Sequence, residues 1–176
     1  MTQSANLTQC DKKGSEVSLY LNTGTCATPV WIYHKGVVGD LNYSETENEN
    51  EQSNRDPAQL VRQYTEDKID VEISGEQVVD QDYEGCAFIN SMRSGSSPRD
   101  VCILTGYMSE VGNTGWRGYF RNFDRSVSGP ESGPQRQTFR LKPAACVLIA
   151  CKVRPVEVAT ADAIIDYDPG TFTATA

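Results

Sequence analysis

Histidine, dense basic runs and closely spaced cysteine pairs are scarce in this 176-residue sequence, and each absence excludes a class of function. Twenty-four Asp and Glu residues outnumber sixteen Lys and Arg residues, giving a net charge of −8 and a pI near 4.7. Because phosphate contacts need clustered basic side chains, we do not expect the chain to hold nucleic acid tightly. His34 is the only histidine. We therefore predict no cofactor and no histidine-based metal site.

The six cysteines do not form a recognisable metal or redox motif. They are Cys10, Cys26, Cys86, Cys102, Cys146 and Cys151, and no two are spaced Cys-x-x-Cys. A four-cysteine zinc site stays open, but it would lack the close spacing that identifies such sites. We expect reduced thiols, several of them small core residues.

Long hydrophobic runs are also missing. The most apolar stretch, 144–158, has fifteen residues, fewer than the roughly 20 that span a bilayer, so it is predicted to form one or two core strands. The N-terminal residues MTQSANLTQCDKKG are polar throughout and lack the apolar segment of a signal peptide. We therefore expect no membrane partner.

Catalytic motifs are absent as well, and no catalytic residue is predicted. The sequence contains no G-x-S-x-G, P-loop or G-x-G-x-x-G pattern. Residues 80–85 resemble the opening of a calcium loop, but the fifth position is Glu84 and the twelfth is Ser91, so an acidic helix start is the better interpretation. His34, at the end of a predicted strand, is more typical of a surface or turn residue than of a Cys–His pair. An enzyme with a cysteine nucleophile is the weakest hypothesis.

The most distinctive stretch that is present is the run SETENENE, residues 44–51. Its glutamates, Glu45, Glu47, Glu49 and Glu51, occupy every second position. Because successive side chains of a strand point to opposite faces, this spacing predicts four carboxylates on one face of a strand. Neighbouring charges about 7 Å apart repel by roughly 0.6 kcal/mol in water, which a solvated edge strand or acidic loop tolerates. The alternative is a functional surface whose negative charge prevents another polyanion from binding.

The remaining pattern is mainly β. Short apolar or alternating runs predict strands near 16–21, 30–34, 69–73, 101–104 and 137–141. One helix is predicted at about 82–92, and a long polar loop at 52–68. We expect an N-terminal arm at 1–14, one β domain at 15–158 and a C-terminal arm at 159–176. Many short strands with one helix favour a β-sandwich or barrel flanked by that helix.

In this order, the elements resemble the major tail tube protein of long-tailed bacteriophages, which is related to the tube protein of type VI secretion. The resemblance rests on the Trp-containing strand at 30–33, followed by the short sequences GVVGDL at 36–41 and NRD at 54–56. The strand at 69–73, the helix, and a Gly-rich hairpin before a closing strand that ends at Leu141 then follow in the same order. It covers about residues 15–143. The segment 144–176 is extra to the minimal family pattern, so its role is open.

The resemblance implies a structural virion protein and not an enzyme. Such subunits form rings, usually six-fold, that stack into a hollow tube through which the genome is ejected. Implied partners are further copies of the chain, the tape-measure and tail-terminator proteins, a sheath in contractile tails, and double-stranded DNA in transit without tight binding. The implied location is the virion tail, assembled in the cytoplasm of the host bacterium.

Two sets of residues are expected to serve this assembly. We predict that Glu45, Glu47, Glu49 and Glu51 face the lumen, where a like-charged wall offers DNA no phosphate contacts. We predict contacts between subunits through the loop and the C-terminal arm, namely at Arg55, Asp56, Leu60, Tyr64, Ile164, Ile165, Tyr167 and Phe172. The alternative function is a β-sandwich adhesin or carbohydrate-binding module that uses Trp116 and Tyr119.

Overall fold

The computed structural model describes residues 17–52, 63–93, 96–144 and 152–166, with the backbone alone for 47–52 and 63–69. These described ranges contain ten strands and one helix. The elements are β1 (Ser18–Asn22), β2 (Trp31–Tyr33), β3 (Val37–Gln52), β4 (Gln63–Val78), α1 (Tyr83–Ser91), β5 (Arg99–Leu104), β6 (Thr114–Asp124), β7 (Val127–Ser128), β8 (Arg136–Pro143), β9 (Arg154–Thr160) and β10 (Ala163–Asp166). The prediction of a mainly β protein with one helix is confirmed.

The strands form one antiparallel sheet that curls back on itself. Its main path runs β2-β1-β5-β6-β8-β4-β3, with β7 added to β8 and the β9–β10 hairpin added to β6. In a flat sheet the outer strands of this path would lie about 29 Å apart. Tyr33 ends β2 and Val37 begins β3, however, so at most about 15 Å of chain joins the two edges. The joining segment bonds to both sides, from His34 N to Leu19 O and from Val78 N to Gly36 O. The sheet is therefore barrel-like.

Alternation along the strands builds two apolar clusters, one on each side of β1 and β5. The larger cluster fills the inside of the curled sheet and includes Leu19, Leu21, Leu41, Val71, Ile73, Val101, Ile103, Trp116, Phe120, Phe139 and Leu141, together with Ile89 of α1 and the C-cap residue Met92. The smaller cluster lies on the opposite side and contains Tyr20, Cys102, Leu104, Met108, Val156 and Val158. Since β1 and β5 are covered on both sides, their side chains are buried at almost every position.

Helix α1 begins and ends close to the predicted bounds of 82–92. Asp82 is the N-cap, and its carboxylate accepts a hydrogen bond from the Gly85 backbone N–H. A capping side chain satisfies one of the backbone donors that the first helical turn leaves without a partner. The interpretation of residues 80–85 as an acidic helix start agrees with this geometry.

Two predicted boundaries are wrong. The loop expected at 52–68 is shorter, because β4 already begins at Gln63 and pairs with β3 as far as Gln52. The C-terminal arm expected from residue 159 does not begin there, because β9 continues to Thr160 and a tight turn leads into β10. Val156 and Val158 of this hairpin belong to the smaller cluster, and Ile164 packs against it. The predicted N-terminal arm, 1–14, lies outside the described residues.

Candidate functional site

The long β3–β4 hairpin carries the acidic stretch and projects beyond the rest of the sheet. The two strands pair from Val37 with Gln77 to Gln52 with Gln63, whereas β8 pairs with β4 only over Ile73–Val78. About ten residues of β4, roughly 30 Å of strand, therefore extend past β8. Within the described residues no other strand pairs with this outer half, so both of its edges present backbone donors and acceptors.

Strand β3 runs through the whole acidic stretch, as the alternation predicts. Glu45 is exposed, and it pairs directly with Val71, a buried residue of the larger cluster. Directly paired residues share a face, so Glu45 lies where the core-facing side of the hairpin emerges into solvent. Burial first, and then the nearby charge of Glu45, raise the pKa of Tyr43. The side chains of Glu47, Glu49 and Glu51 lie outside the described part, so their lumen-facing orientation stays a prediction.

The opposite face of the same strands is polar and carries paired charges. Lys142 of β8 contacts Glu72 of β4 at 3.0 Å, and Arg136 contacts Glu76 at 3.1 Å. All four side chains are partly or largely exposed, so each pair stabilises the fold by no more than about 1 kcal/mol. These pairs align β4 with β8 at the root of the hairpin.

Few of the residues predicted at subunit contacts can be placed. Arg55, Asp56, Leu60, Tyr167 and Phe172 lie outside the described residues, and Tyr64 is described only as part of the β4 backbone. Ile164 packs against the smaller apolar cluster of its own chain, whereas Ile165 on the other side of β10 is 49% exposed. Of these two, Ile165 is therefore the one available to another molecule. The contacts themselves stay predictions.

His34 is a buried residue, so the expectation of a surface or turn position is wrong. Only 1% of it is exposed. Its Nδ1 lies 2.8 Å from Asp82 Oδ2, and its Nε2 lies 2.8 Å from Gln77 Oε1. Asp82 also accepts hydrogen bonds from the backbone N–H groups of Lys35 and Gly85. Burial alone would raise the pKa of Asp82, but the hydrogen bonds and the neighbouring imidazole lower it below 3.8. An ionised Asp82 can only accept a hydrogen bond, so His34 Nδ1–H is the donor of this contact.

A chain of side-chain amides continues from His34 across the sheet, through the buried Gln77 and Gln137 to the half-buried Asn90. Gln77 donates from Nε2 to Gln137 Oε1 at 3.0 Å, and Gln137 donates from Nε2 to Asn90 Oδ1 on α1 at 2.6 Å. Every link ties together elements far apart in sequence. Because each side chain uses its polar atoms on a neighbour, we assign this network to holding α1 against the curled sheet and not to chemistry.

A second buried network joins Arg117 of β6 to Asp100 of β5. The guanidinium Nη2 lies 2.9 Å from Asp100 Oδ2 and 2.9 Å from the carbonyl oxygen of Cys26, and Cζ lies 5.0 Å from the ring centroid of Trp31. Asn22 donates a further hydrogen bond to Asp100 at 2.8 Å. Burial would lower the pKa of Arg117, but Asp100 outweighs it and the pKa is raised. This is a closed structural ion pair, since both side chains are buried.

The environments of Trp116, Cys86 and Cys102 support neither the carbohydrate-binding alternative nor an enzyme with a cysteine nucleophile. Trp116 belongs to the larger apolar cluster and is only 8% exposed, so it cannot stack on a sugar as the adhesin alternative requires. Cys86 and Cys102 are buried free thiols. Burial raises the pKa of Cys86 to about 11 and also raises that of Cys102, so neither forms the reactive thiolate near neutral pH. Their prediction as small core residues is confirmed.

Among the described residues, no group of three or more His, Cys, Asp and Glu side chains is placed to hold a metal ion. No helix in the described ranges is long and apolar enough to cross a membrane.

Comparisons with solved structures identify the fold. No family model and no curated protein matches the sequence. The structure is similar to a chain of the virion of a native gene transfer agent particle, with a TM-score of 0.55 at 12% identity over 76% of this chain and 95% of that chain. A chain of the tail of the empty gene transfer agent particle, refined with C6 symmetry, gives 0.53 at 13% identity over 76% and 95%. The SPP1 tail tube gives 0.53 at 10% identity over 74% of each chain.

Proposed function

We propose that this chain is a structural subunit of a phage-type tail tube. The observation that carries the proposal is that its fold is similar to tail and tail-tube chains over about three quarters of this chain, and over 95% and 74% of those chains. In this proposal the subunits form hexameric rings, following the C6 symmetry of the gene transfer agent tail. The rings stack into a hollow conduit for genome ejection. The protein is assembled in the host bacterial cytoplasm, resides in the virion tail, and has no catalytic role.

The projecting hairpin supports self-association. Its outer half has open backbone edges and reaches about 30 Å beyond β8. An open edge of this length is a template for pairing with another chain, and natural monomers usually shorten or cover such edges. A second copy of this chain would satisfy those backbone groups. If the contact is head-to-tail, repetition gives a ring or a filament, as a tube requires. The other proposed partners, the tape-measure, tail-terminator and sheath proteins, would contact the assembled tube.

Electron microscopy with a mass measurement on the purified full chain tests this function. We expect rings or tubes, and a mass that is a multiple of the 19.4 kDa subunit. A chain that remains a single subunit at every concentration and salt condition would show that the proposal is wrong.

A shortened hairpin provides the matched variant. Replacing residues 46–70 by Asn-Gly leaves Glu45 and Val71, which pair directly, as the closing residues of a two-residue turn. The residues of β3 and β4 that are described as buried, including Leu41, Val71 and Ile73, are retained, so we expect a folded monomer that forms no tubes. Tubes of normal length from this variant would mean that the hairpin does not mediate assembly.

The four glutamates are proposed to line the bore. A six-fold ring would carry about 24 carboxylates, four from each subunit. Since DNA is a polyanion, such a wall repels phosphates and leaves the duplex free to slide. Replacing Glu45, Glu47, Glu49 and Glu51 together by lysine should convert a non-binding bore into one that retains DNA.

The expected result is measured as short duplex DNA that remains bound to the lysine-variant tubes after nuclease treatment. Retention should fall steeply with salt, because each phosphate contact releases a counterion. The matched control replaces the same four residues by glutamine, which removes the negative charge without adding a positive one. The lumen assignment would be contradicted if nuclease removed the DNA that the lysine-variant tubes bind. A tube reconstruction with these residues on the outer surface would contradict it as well.

A further inference from the structure

A basic cleft lies where α1 and β6 end. Its volume is about 490 Å³, and its lining residues are Arg93, Asn122, Phe123, Asp124 and Arg125. We call it the arginine cleft. Arg93 and Arg125 are exposed, and neither makes an ion pair with a described residue. Asp124 is the one carboxylate of the lining, so the two arginines leave this cleft with a net positive charge in a chain of net charge −8.

One of the residues that line this cleft carries a buried donor without an acceptor among the described residues. Asn122 is only 6% exposed, and its Oδ1 accepts hydrogen bonds from the backbone N–H groups of Asp124 and Arg140. Its Nδ2 makes no hydrogen bond with any described residue. An unsatisfied buried donor costs about 1 to 3 kcal/mol, so an acceptor from another molecule would recover that energy. A donor beside two guanidinium groups favours a carboxylate as that acceptor.

The opposite end of α1 carries the complementary charge. Asp80 and Glu84 are exposed there, and neither makes an ion pair with a described residue. Tyr83, between them in the sequence, is 76% exposed. The three residues form what we call the acidic end. The nine residues of α1 separate this end from the arginine cleft by about 14 Å.

We propose that the acidic end of one subunit docks in the arginine cleft of its neighbour. The proposal rests on the proposed function, because it specifies a contact between copies of this chain. The two surfaces differ and lie at opposite ends of one helix, so their pairing is head-to-tail and repeats from subunit to subunit. The helix dipole explains an acidic residue in the first turn of α1 and a basic residue after its last turn. It does not explain Arg125, the unsatisfied Asn122 amide, or the exposed aromatic residue at each end.

Charge reversal tests the contact, with tube formation as the readout. The variant R93E/R125E makes the arginine cleft acidic, so that both surfaces are negatively charged. The variant D80K/E84K makes the acidic end basic, so that both surfaces are positively charged. We expect each to raise the protein concentration needed for tube formation at least about tenfold. The fourfold variant D80K/E84K/R93E/R125E restores complementarity with reversed polarity, and it should assemble at close to the wild-type concentration. Circular dichroism checks that every variant folds.

The matched control is R99E/K152E, which makes the same change of net charge at two other exposed basic positions and should assemble like the wild type. Assembly of R93E/R125E at the wild-type concentration would overturn the contact while leaving the tube function intact. A folded fourfold variant that fails to assemble would also overturn it. A wild-type chain that never assembles would overturn the proposed function, and this contact with it.

Discussion

Replacing Asp100 by alanine is expected to lower the free energy of unfolding by about 3 to 5 kcal/mol. The substitution leaves the Arg117 guanidinium buried without its carboxylate, and it also removes the acceptor of the Asn22 amide. For a chain of this length the loss corresponds to a fall in Tm of roughly 10 °C. Urea unfolding of the dissociated subunit, followed by circular dichroism, measures it.

The control variant replaces both members of the pair by apolar residues, as D100L/R117M. A buried ion pair gains little over well-packed apolar side chains, because its attraction mainly offsets the cost of removing two charges from water. We therefore expect the double variant to recover most of the stability that D100A loses. A double variant as unstable as the single one would show that the carboxylate contributes through something other than its pairing with Arg117.

The strands and the helix could be predicted because alternation and capping are local signals. Val71 and Ile73 alternate with polar residues in β4, and Asp82 precedes the helix as a capping residue does. The closure of the sheet could not be predicted. It depends on β2 and β3 lying at opposite edges of a sheet whose order, β2-β1-β5-β6-β8-β4-β3, is set by pairings distant in sequence.

The buried role of His34 was missed because a lone histidine carries no periodic signal of its own. A signal did exist elsewhere. Gln77 continues the inward-facing series of Val71 and Ile73 in β4, and Gln137 continues that of Phe139 and Leu141 in β8. A polar side chain at an inward position needs a buried partner, so these two glutamines indicate a polar network within the core. Its members could be named only from the structure.

The arginine cleft was missed for a different reason. Arg93 follows α1, whereas Asn122 and Arg125 lie about thirty residues later, at the end of β6 and just beyond it. The backbone N–H of Asn122 donates to the carbonyl oxygen of Met92, which holds these segments together. The register shift between Asn122 and Asp124 forms a β-bulge there. Sequence spacing does not reveal such a juxtaposition, because it depends on a long-range contact and on an irregularity in the strand.

Replacing Gly85 by alanine should destabilise the chain by about 2 to 4 kcal/mol, although alanine is the better helix former. A Cβ at this position would lie 2.2 Å from His34 Nδ1 and 2.4 Å from Asp82 Oδ2. Helix propensity favours alanine by about 1 kcal/mol. Overpacking of a buried site costs about 1 to 3 kcal/mol, and displacing a hydrogen bond to a charged group costs about 1.5 to 3 kcal/mol more. The unfavourable terms therefore win, as urea unfolding of G85A at neutral pH should show.

The control is G129A, because a Cβ at Gly129 meets no atom within 4 Å and the unfolded chain loses entropy. We expect it to be neutral or slightly stabilising. The pH dependence then identifies the cause of the loss in G85A. Folding lowers the pKa of Asp82, so its contribution is present above about pH 3.8 and disappears as the pH falls through the lower, folded-state value. If the alanine methyl displaces His34 from Asp82, G85A should lose less stability than the wild type over that acidic range. An unchanged acid dependence in a destabilised G85A would place the damage outside the His34–Asp82 pair.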